Sequence, residues 1–155
     1  MTRAGAWARA GAVIAVVLVV DQISKAVARA DIQPGEHVEV LPFLDLVHVR
    51  NDGIAFGALG GSGIVLVLVA LALTAIVVFF ALNATKRFAW LTAGLLLGGA
   101  LGNIIDRIAE GAVTDFLKLP GWPAFNIADI AITFGVIALV LVLEGPGRRR
   151  READG

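Results

Sequence analysis

Residues 98–107 read GGALGNIIDR, and this stretch joins a long apolar run to a carboxylate and a guanidinium. Read as a helix, it continues a stripe of Gly94, Gly98 and Gly102, four residues apart, on which Asp106 takes the next position. A stripe of glycines lets a second helix approach closely. The pattern therefore predicts that Asp106 faces a neighbouring helix. An ionisable side chain in such a place indicates a functional site.

The composition of the 155-residue chain is that of a membrane protein. Hydrophobic residues make up 58% of the sequence and the mean hydropathy is +0.85, too apolar for an ordinary soluble domain. The formal net charge is zero, so nothing suggests a nucleic-acid partner. The absence of cysteine excludes thiolate metal ligands and a cysteine nucleophile, and the two histidines lack a helical metal-ligand spacing. We therefore expect no metal and no cofactor.

Four apolar segments predict four transmembrane helices. They cover residues 6–20, 64–82, 88–105 and 127–143, with outer loops at 21–63 and 106–126. A single integral membrane domain is expected over 1–147, followed by a charged, disordered tail at 148–155. A cleaved signal peptide is the alternative for the first segment, because Ala26-Val27-Ala28 offers a cleavage site. Asp21 and Lys25 lie between the run and that site and speak against it.

Most of the polar sequence lies between the first two spans. HVEV alternates and LDLVHV is rich in strand formers, which predicts a small β-structure between Glu36 and Arg50 after a turn at Pro34-Gly35. Residues 110–125 are predicted to form a second, shorter polar loop.

The distribution of Lys and Arg predicts the orientation in the membrane. Both terminal segments and the 83–88 link together hold 8 of these residues, whereas the two other loops hold 5. Both termini should therefore be cytoplasmic. This topology gathers Asp21, Asp106, Asp129, Asn51 and Asp115 at the outer face of the membrane.

Two of these carboxylates, Asp106 and Asp129, come from helices that follow each other in the chain and run antiparallel, so they should pack side by side. Two carboxylates brought close cannot both ionise cheaply, and such a pair supplies a general acid and a general base. It could activate a water against a peptide bond. A proton or cation relay is an equally open use of the pair. A scaffold subunit is a third possibility, although it leaves the clustering unexplained.

Asp21 and Lys25 are four residues apart and can pair on one face of a helix that continues beyond the first span. Taken alone, this pair is typical of a solvated helix end with a surface ion pair of little worth.

Five motifs then occur in the order found in one family of bacterial enzymes. They are DQISK at 21–25, NDGIAFG at 51–57, GGALGNIIDR at 98–107, VTDF at 113–116 and FNIAD at 125–129. Over essentially its whole length the chain closely resembles signal peptidase II, the aspartic protease of lipoprotein maturation. The resemblance implies an all-α membrane protein, a four-transmembrane-helix bundle with a small extracytoplasmic β-cradle. Ile54 departs from the family, which more often has Ala there.

The resemblance also assigns residues. Asp106 and Asp129 match the catalytic aspartates. The positions matched to substrate binding or support of the pair are Asn51, Gly53, Asn103, Arg107, Asn126, Ala128, Asp21, Lys25 and Asp115. For Asp115 a stabilising role is expected.

The implied activity is removal of the signal peptide from diacylglyceryl-modified prolipoproteins, by cleavage before the lipid-modified cysteine with water activated by the aspartate pair. The implied partners are these substrates, membrane lipid and the inhibitor globomycin, and the chain is expected to be a monomer. The implied location is the bacterial inner membrane, with several spans and the active site at the extracytoplasmic face.

Overall fold

The computed structural model describes residues 2–52 and 62–153, and for residues 62–70 and 145–153 it describes the backbone alone. Gly53 and the rest of the predicted NDGIAFG motif after Asp52 lie outside the described residues. Within these residues there are four helices, α1 (Arg3–Asp31), α2 (Ser62–Asn83), α3 (Ala89–Glu110) and α4 (Ile127–Ala153). The same described ranges contain three strands, β1 (His37–Leu41), β2 (Leu44–Asn51) and β3 (Val113–Lys118).

Three of the helices in the described part of the chain are long and apolar enough to cross a membrane. They are Arg3–Asp31, Ala89–Glu110 and the part of α4 from Ile127 to Glu144. In α2, the portion with described side chains, Leu71–Asn83, is a shorter apolar segment. The prediction of a mostly helical membrane protein with several spans is therefore confirmed.

Helix α3 packs against both α1 and α4, and its glycines explain why it can. A Cβ atom added at Gly94 would lie 2.6 Å from Cβ of Val13, and one at Gly98 would lie 2.9 Å from Cβ of Val17. A Cβ at Gly99 would lie 2.5 Å from the carbonyl oxygen of Ala128. The predicted glycine stripe therefore does face a helix, namely α1. Gly99 lies on the neighbouring face of α3 and allows close packing of α4.

The small sheet is antiparallel, with strand order β1-β2-β3. The hairpin of β1 and β2 falls in the predicted region, after the predicted turn, where Gly35 has a φ of +88°. Strand β3 was not expected, because residues 110–125 were predicted to be a loop. Val113-Thr114 and Phe116-Leu117 supply the β-formers, and Gly111, with a φ of +75°, lets the chain turn out of α3.

Helix α3 continues to Glu110, so Asp106 and Arg107 lie in its last turn, as reading residues 98–107 as a helix predicts, and the loop expected from residue 106 begins after Glu110. The prediction for the C-terminal tail was wrong. Helix α4 continues to Ala153, although the tail at 148–155 was expected to be disordered. Gly145, Pro146 and Gly147 disfavour a helix, whereas the Arg, Glu and Ala residues that follow them are good helix formers.

Replacing Gly99 by alanine should destabilise the packing of α3 on α4. The added Cβ would clash with backbone, which cannot move aside cheaply, so we expect a loss of about 1–3 kcal/mol in the free energy of unfolding. Gly11→Ala is the matched control, because nothing lies within 4 Å of its added Cβ. Thermal melting of both variants in one detergent checks this, and equal melting temperatures would contradict the close contact.

Candidate active site

A cluster of buried charges joins the C-terminal parts of α1 and α3. The ammonium nitrogen of Lys25 lies 2.8 Å from Oδ2 of Asp21 and 3.3 Å from Oδ2 of Asp106. The side chains of Lys25 and Asp21 are 0% exposed and that of Asp106 is 1% exposed. The alternative of a solvated surface ion pair is therefore wrong for Asp21 and Lys25. Burial makes the pair a structural requirement, since removing one partner would leave a charge without compensation.

Both oxygens of Asp106 have further partners. The side-chain amide of Gln22 donates to Oδ1 at 3.0 Å, and the backbone N–H of Thr114 donates to Oδ2 at 2.9 Å. Gln22 also donates to the carbonyl of Gly102 at 3.2 Å. Asp106 thus ties α1, α3 and β3 together. Gln22 was not singled out in the sequence, and its only signal is its place inside the DQISK motif.

The start of α4 forms a reciprocal cap around Asp129. The side-chain oxygen of Asn126 accepts the backbone N–H of Asp129 at 3.0 Å, and Oδ2 of Asp129 accepts the backbone N–H of Asn126 at 3.2 Å. This is the geometry of a capping box. The next free N–H, that of Ala128, donates to Oδ1 of Asp21 at 2.8 Å, so α1 also caps α4. Asp129 is half-buried, whereas Ala128 and Asn126 are fully buried.

Two amide side chains connect this cap to its surroundings. Asn103 donates to Oδ1 of Asp129 at 2.9 Å and accepts from Lys25 at 2.9 Å. The side-chain amide of Asn126 donates to Oδ1 of Asp115 at 2.7 Å and to the oxygen of Asn103 at 3.2 Å. Asn126 is therefore hydrogen-bonded to the carboxylates of both Asp115 and Asp129.

Asp115 lies on β3 and is 2% exposed. Its Oδ2 accepts the side-chain amide of Asn51 at 2.9 Å. Burial raises the pKa of the Asp115 carboxyl above its ordinary value of 3.8, against the hydrogen bonds from Asn51 and Asn126, which lower it. The negative charge of Asp129 raises this pKa further, which places the two carboxyl groups within electrostatic reach of each other.

Asp106 and Asp129 were predicted to be direct partners, and their contacts differ from that expectation. Helices α3 and α4 do pack together, but the groups bonded to Asp106 come from α1 and β3. Asp106 and Asp129 are connected through two other residues. Asp106 pairs with Lys25, Lys25 donates to Asn103, and Asn103 donates to Asp129. The carboxylate that shares a donor residue with Asp129 is Asp115, because Asn126 donates its side-chain NH₂ to Asp115 and its backbone N–H to Asp129.

Two arginines border the site. Arg107, in the last turn of α3, donates to the carbonyl oxygen of Asn103 at 3.3 Å. Arg29, which the sequence did not single out, donates at 3.0 Å to the hydroxyl of Thr114, the residue directly before Asp115 in the chain.

Within the ranges 2–52 and 62–153, no three acidic or histidine side chains are grouped so that they could hold a metal ion.

An open apolar cavity of about 530 Å³ lies between α1, α3 and α4. Its lining includes Val17, Leu95, Ile130, Ala131, Phe134 and Ala138. Ile130 and Ala131 lie next to Asp129 in α4, so one end of the cavity lies near the start of this helix.

Comparison with known proteins identifies the family. The family model described as signal peptidase (SPase) II matches residues 13–144. The chain belongs to the signal peptidase II family. It is 45% identical over 141 residues to the lipoprotein signal peptidase of Moorella thermoacetica, covering 88% of this chain and 93% of that one. The lipoprotein signal peptidase of Thermodesulfovibrio yellowstonii is 42% identical over 133 residues, covering 82% and 88%.

A solved structure agrees with this membership in signal peptidase II. A bacterial membrane enzyme determined by the in meso method at 1.9 Å resolution matches with a TM-score of 0.80 and 34% identity, covering 88% of this chain and 93% of that one. The prediction of a membrane-bound signal peptidase II enzyme is therefore confirmed, and the relay or transporter alternative is not favoured.

The stability of Asp115→Asn relative to wild type should rise with pH. Because Asp115 has a higher pKa in the folded protein than its ordinary 3.8, the folded state holds this proton more tightly than the unfolded state does. Stability is therefore lost as the pH rises from 3.8 through the folded-state pKa, and a residue that cannot ionise avoids that loss. The NH₂ group of the variant would face an amide donor of Asn51 or Asn126, which is a cost that does not depend on pH. We therefore expect the melting temperature of the variant, relative to wild type, to be higher at pH 7 than at pH 3.8.

Thermal melting of wild type and variant over a pH series measures this difference. A difference that stayed constant at every pH would mean that the ionisation of Asp115 is not its cause.

Proposed function

We propose that this chain removes the signal peptide from diacylglyceryl-modified prolipoproteins, cutting before the lipid-modified cysteine, and that Asp115 and Asp129 are its catalytic pair. This replaces the pair of Asp106 and Asp129 expected from the sequence. The supporting observation is that Asn126 bonds to both Asp115 and Asp129, while Asp106 is ion-paired to a fully buried lysine.

The surroundings of the two carboxyl groups suggest different roles. Asp129 accepts N–H groups at the start of α4, where the partial positive charge of the helix end stabilises a carboxylate. It is also half-buried, so water can reach it. Asp115 is buried among neutral amides and its pKa is raised, which favours the protonated form. Asp129 is therefore assigned as the general base and Asp115 as the general acid.

The reaction then proceeds with balanced proton transfers. Asp129 takes a proton from water as the water oxygen attacks the carbonyl carbon of the scissile peptide bond, and Asp115 gives its proton to the carbonyl oxygen. A tetrahedral diol results. As the C–N bond breaks, Asp129 gives its proton to the leaving nitrogen of the lipid-modified cysteine, and one diol hydroxyl returns a proton to Asp115 while the carboxyl terminus of the signal peptide forms.

Asp106 has a structural part in this proposal. Its two oxygens are occupied by Gln22, Thr114 and Lys25, and its charge is compensated by the ammonium. A carboxyl group held in this way is poorly placed to exchange protons with a substrate. Its bond to the backbone of Thr114 instead fixes the start of β3, from which Asp115 projects.

The substrate would approach along the apolar cavity. The cavity is open, has a volume of about 530 Å³ and is lined by apolar side chains, so an acyl chain of the diacylglyceryl group can lie in it. The chain would end near Ile130, beside Asp129, which would bring the attached cysteine to the carboxylates.

The topology belongs to the same proposal. Residues 1–147 would form one membrane peptidase domain in which all four helices span the membrane of the bacterial cell. Both termini would be cytoplasmic, as the Lys and Arg distribution favours. The sheet and the carboxylates would then lie at the extracytoplasmic face. Binding of globomycin and a monomeric state are expected on the family resemblance.

Asp115→Asn and Asp129→Asn should each reduce cleavage of a diacylglyceryl-modified prolipoprotein by at least about 10³-fold, because each removes one partner in proton transfer. Both variants should still melt cooperatively. Asp106→Asn should lower the melting temperature, with residual turnover that follows the folded fraction, because it weakens a buried ion pair. Purified proteins in one detergent, assayed with and without globomycin, test this.

A well-folded Asp106→Asn variant without turnover would return Asp106 to the catalytic pair. Turnover near wild type in Asp115→Asn would remove Asp115 from it.

Ala138→Phe should raise KM for the lipid-modified substrate with little change in kcat, because the ring fills part of the cavity. Displacing about two methylenes of an acyl chain corresponds to about a tenfold rise in KM. Val140→Phe is the matched control, since Val140 lies on the same helix, is 46% exposed and does not line the cavity. Equal KM values for the two variants would contradict acyl binding in the cavity.

A further inference from the structure

Lys25 makes one contact that an ion pair does not require. Its ammonium carries three N–H donors and has three partners: Asp21, Asp106 and the side-chain oxygen of Asn103 at 2.9 Å. The two carboxylates compensate its charge. The third partner is a neutral amide whose other end reaches Asp129.

This contact helps to fix the orientation of the Asn103 side-chain amide. An ammonium can only donate, so the atom of Asn103 that faces Lys25 must be its oxygen. Its NH₂ group is then directed at Oδ1 of Asp129, 2.9 Å away. Asn126 also donates to the oxygen of Asn103, at 3.2 Å, and the shorter, charged contact from Lys25 reinforces the same orientation.

We propose that Lys25 is a positioning residue for peptide-bond cleavage, which orients Asn103 against Asp129 and places a positive charge behind the Asp115–Asp129 pair. The inference rests on the proposed function of that pair. Lys25 is 0% exposed, so it acts through Asn103 and through its field, without touching the substrate.

The charged groups around the pair lie on α1, α3 and β2. Lys25 and Asp21 lie on α1 with Arg29, which bonds to Thr114, and Asp106 and Arg107 lie on α3. Arg50, on β2 opposite Thr114, donates to the carbonyl oxygen of Glu110. Arg29 and Arg107 bond to neutral oxygens next to the pair, whereas Lys25 bonds directly to the side chain that holds Asp129. The charge of Lys25 also lowers the pKa of Asp115, against the burial that raises it.

The test is the pH dependence of cleavage by Lys25→Met in the full chain, with a diacylglyceryl-modified prolipoprotein as substrate. We expect kcat to fall by about 10- to 100-fold with KM nearly unchanged, because the reacting groups lose alignment while the binding surface stays intact. The alkaline limb of the kcat/KM profile should move upward by about half a pH unit or more, because Asp115 loses a nearby positive charge.

Gln22→Leu is the matched control for damage to the same polar cluster. It removes contacts to Asp106 and Gly102 but leaves the bond between Lys25 and Asn103 in place. Its melting temperature should fall without a shift of the pH profile. A double-mutant cycle with Asn103→Leu adds a second readout: if Lys25 acts through Asn103, Lys25→Met should cost much less in kcat when Asn103→Leu is already present.

If Lys25→Met does not fold, Lys25→Met with Asp106→Asn keeps the summed charge of Asp21, Lys25 and Asp106 at its wild-type value of −1 and is compared with Asp106→Asn alone. An unchanged pH profile together with additive losses in the cycle would overturn the proposal. So would failure of both Lys25 variants to fold, because Lys25 would then be needed for the fold alone. Absence of cleavage by well-folded wild type would instead contradict the proposed function.

Discussion

The burial of the Lys25 ammonium is the interaction on which the rest of the site depends. A charge without solvent must be compensated where it lies, and the compensating groups come from α1 and α3. Once Asp21 and Asp106 are fixed by this lysine, their remaining oxygens are fixed too. Asp21 accepts the N–H of Ala128 at the start of α4, and Asp106 accepts the N–H of Thr114 at the start of β3.

These bonds from Asp21 and Asp106 position the two carboxyl groups that we assign to catalysis. Asp129 lies in the first turn of α4 and Asp115 in β3, so each comes from an element whose start is bonded to the lysine's own partners. The amides of Asn103 and Asn126 complete the connection. Removal of one member of a buried charge pair typically costs about 3–5 kcal/mol, which is enough to displace both elements.

The sequence predicted the parts of the site that depend on local pattern. The glycine repeat ending at Asp106 showed that this residue faces a helix, and the β-formers after Glu36 showed where the hairpin lies. Which helix faces Asp106 could not be read from the repeat, because Gly98 and Gly99 are neighbours in the chain that face α1 and α4 respectively. The pairing of Asp106 with Lys25 depends on that choice.

Asp115 shows a second limit of prediction from the sequence. Its segment was read as a loop because it is short and lies between turn residues, and a loop carboxylate gives no sign of burial. Its place in the site follows from tertiary contacts, since β3 pairs with β2 and brings Asn51 to one oxygen while Asn126 reaches the other. Gln22 was missed for a related reason: a neutral amide on a helix carries no pattern of its own.

The central claim is that Asp115, and not Asp106, carries the proton used in catalysis. Infrared difference spectroscopy of the carboxylic acid C=O stretch, followed over a pH titration of the purified protein, tests it most directly. A protonated carboxyl should persist above the ordinary aspartate value of 3.8, disappear in Asp115→Asn and remain in Asp106→Asn. Loss of that signal in Asp106→Asn, with the signal retained in Asp115→Asn, would contradict the assignment.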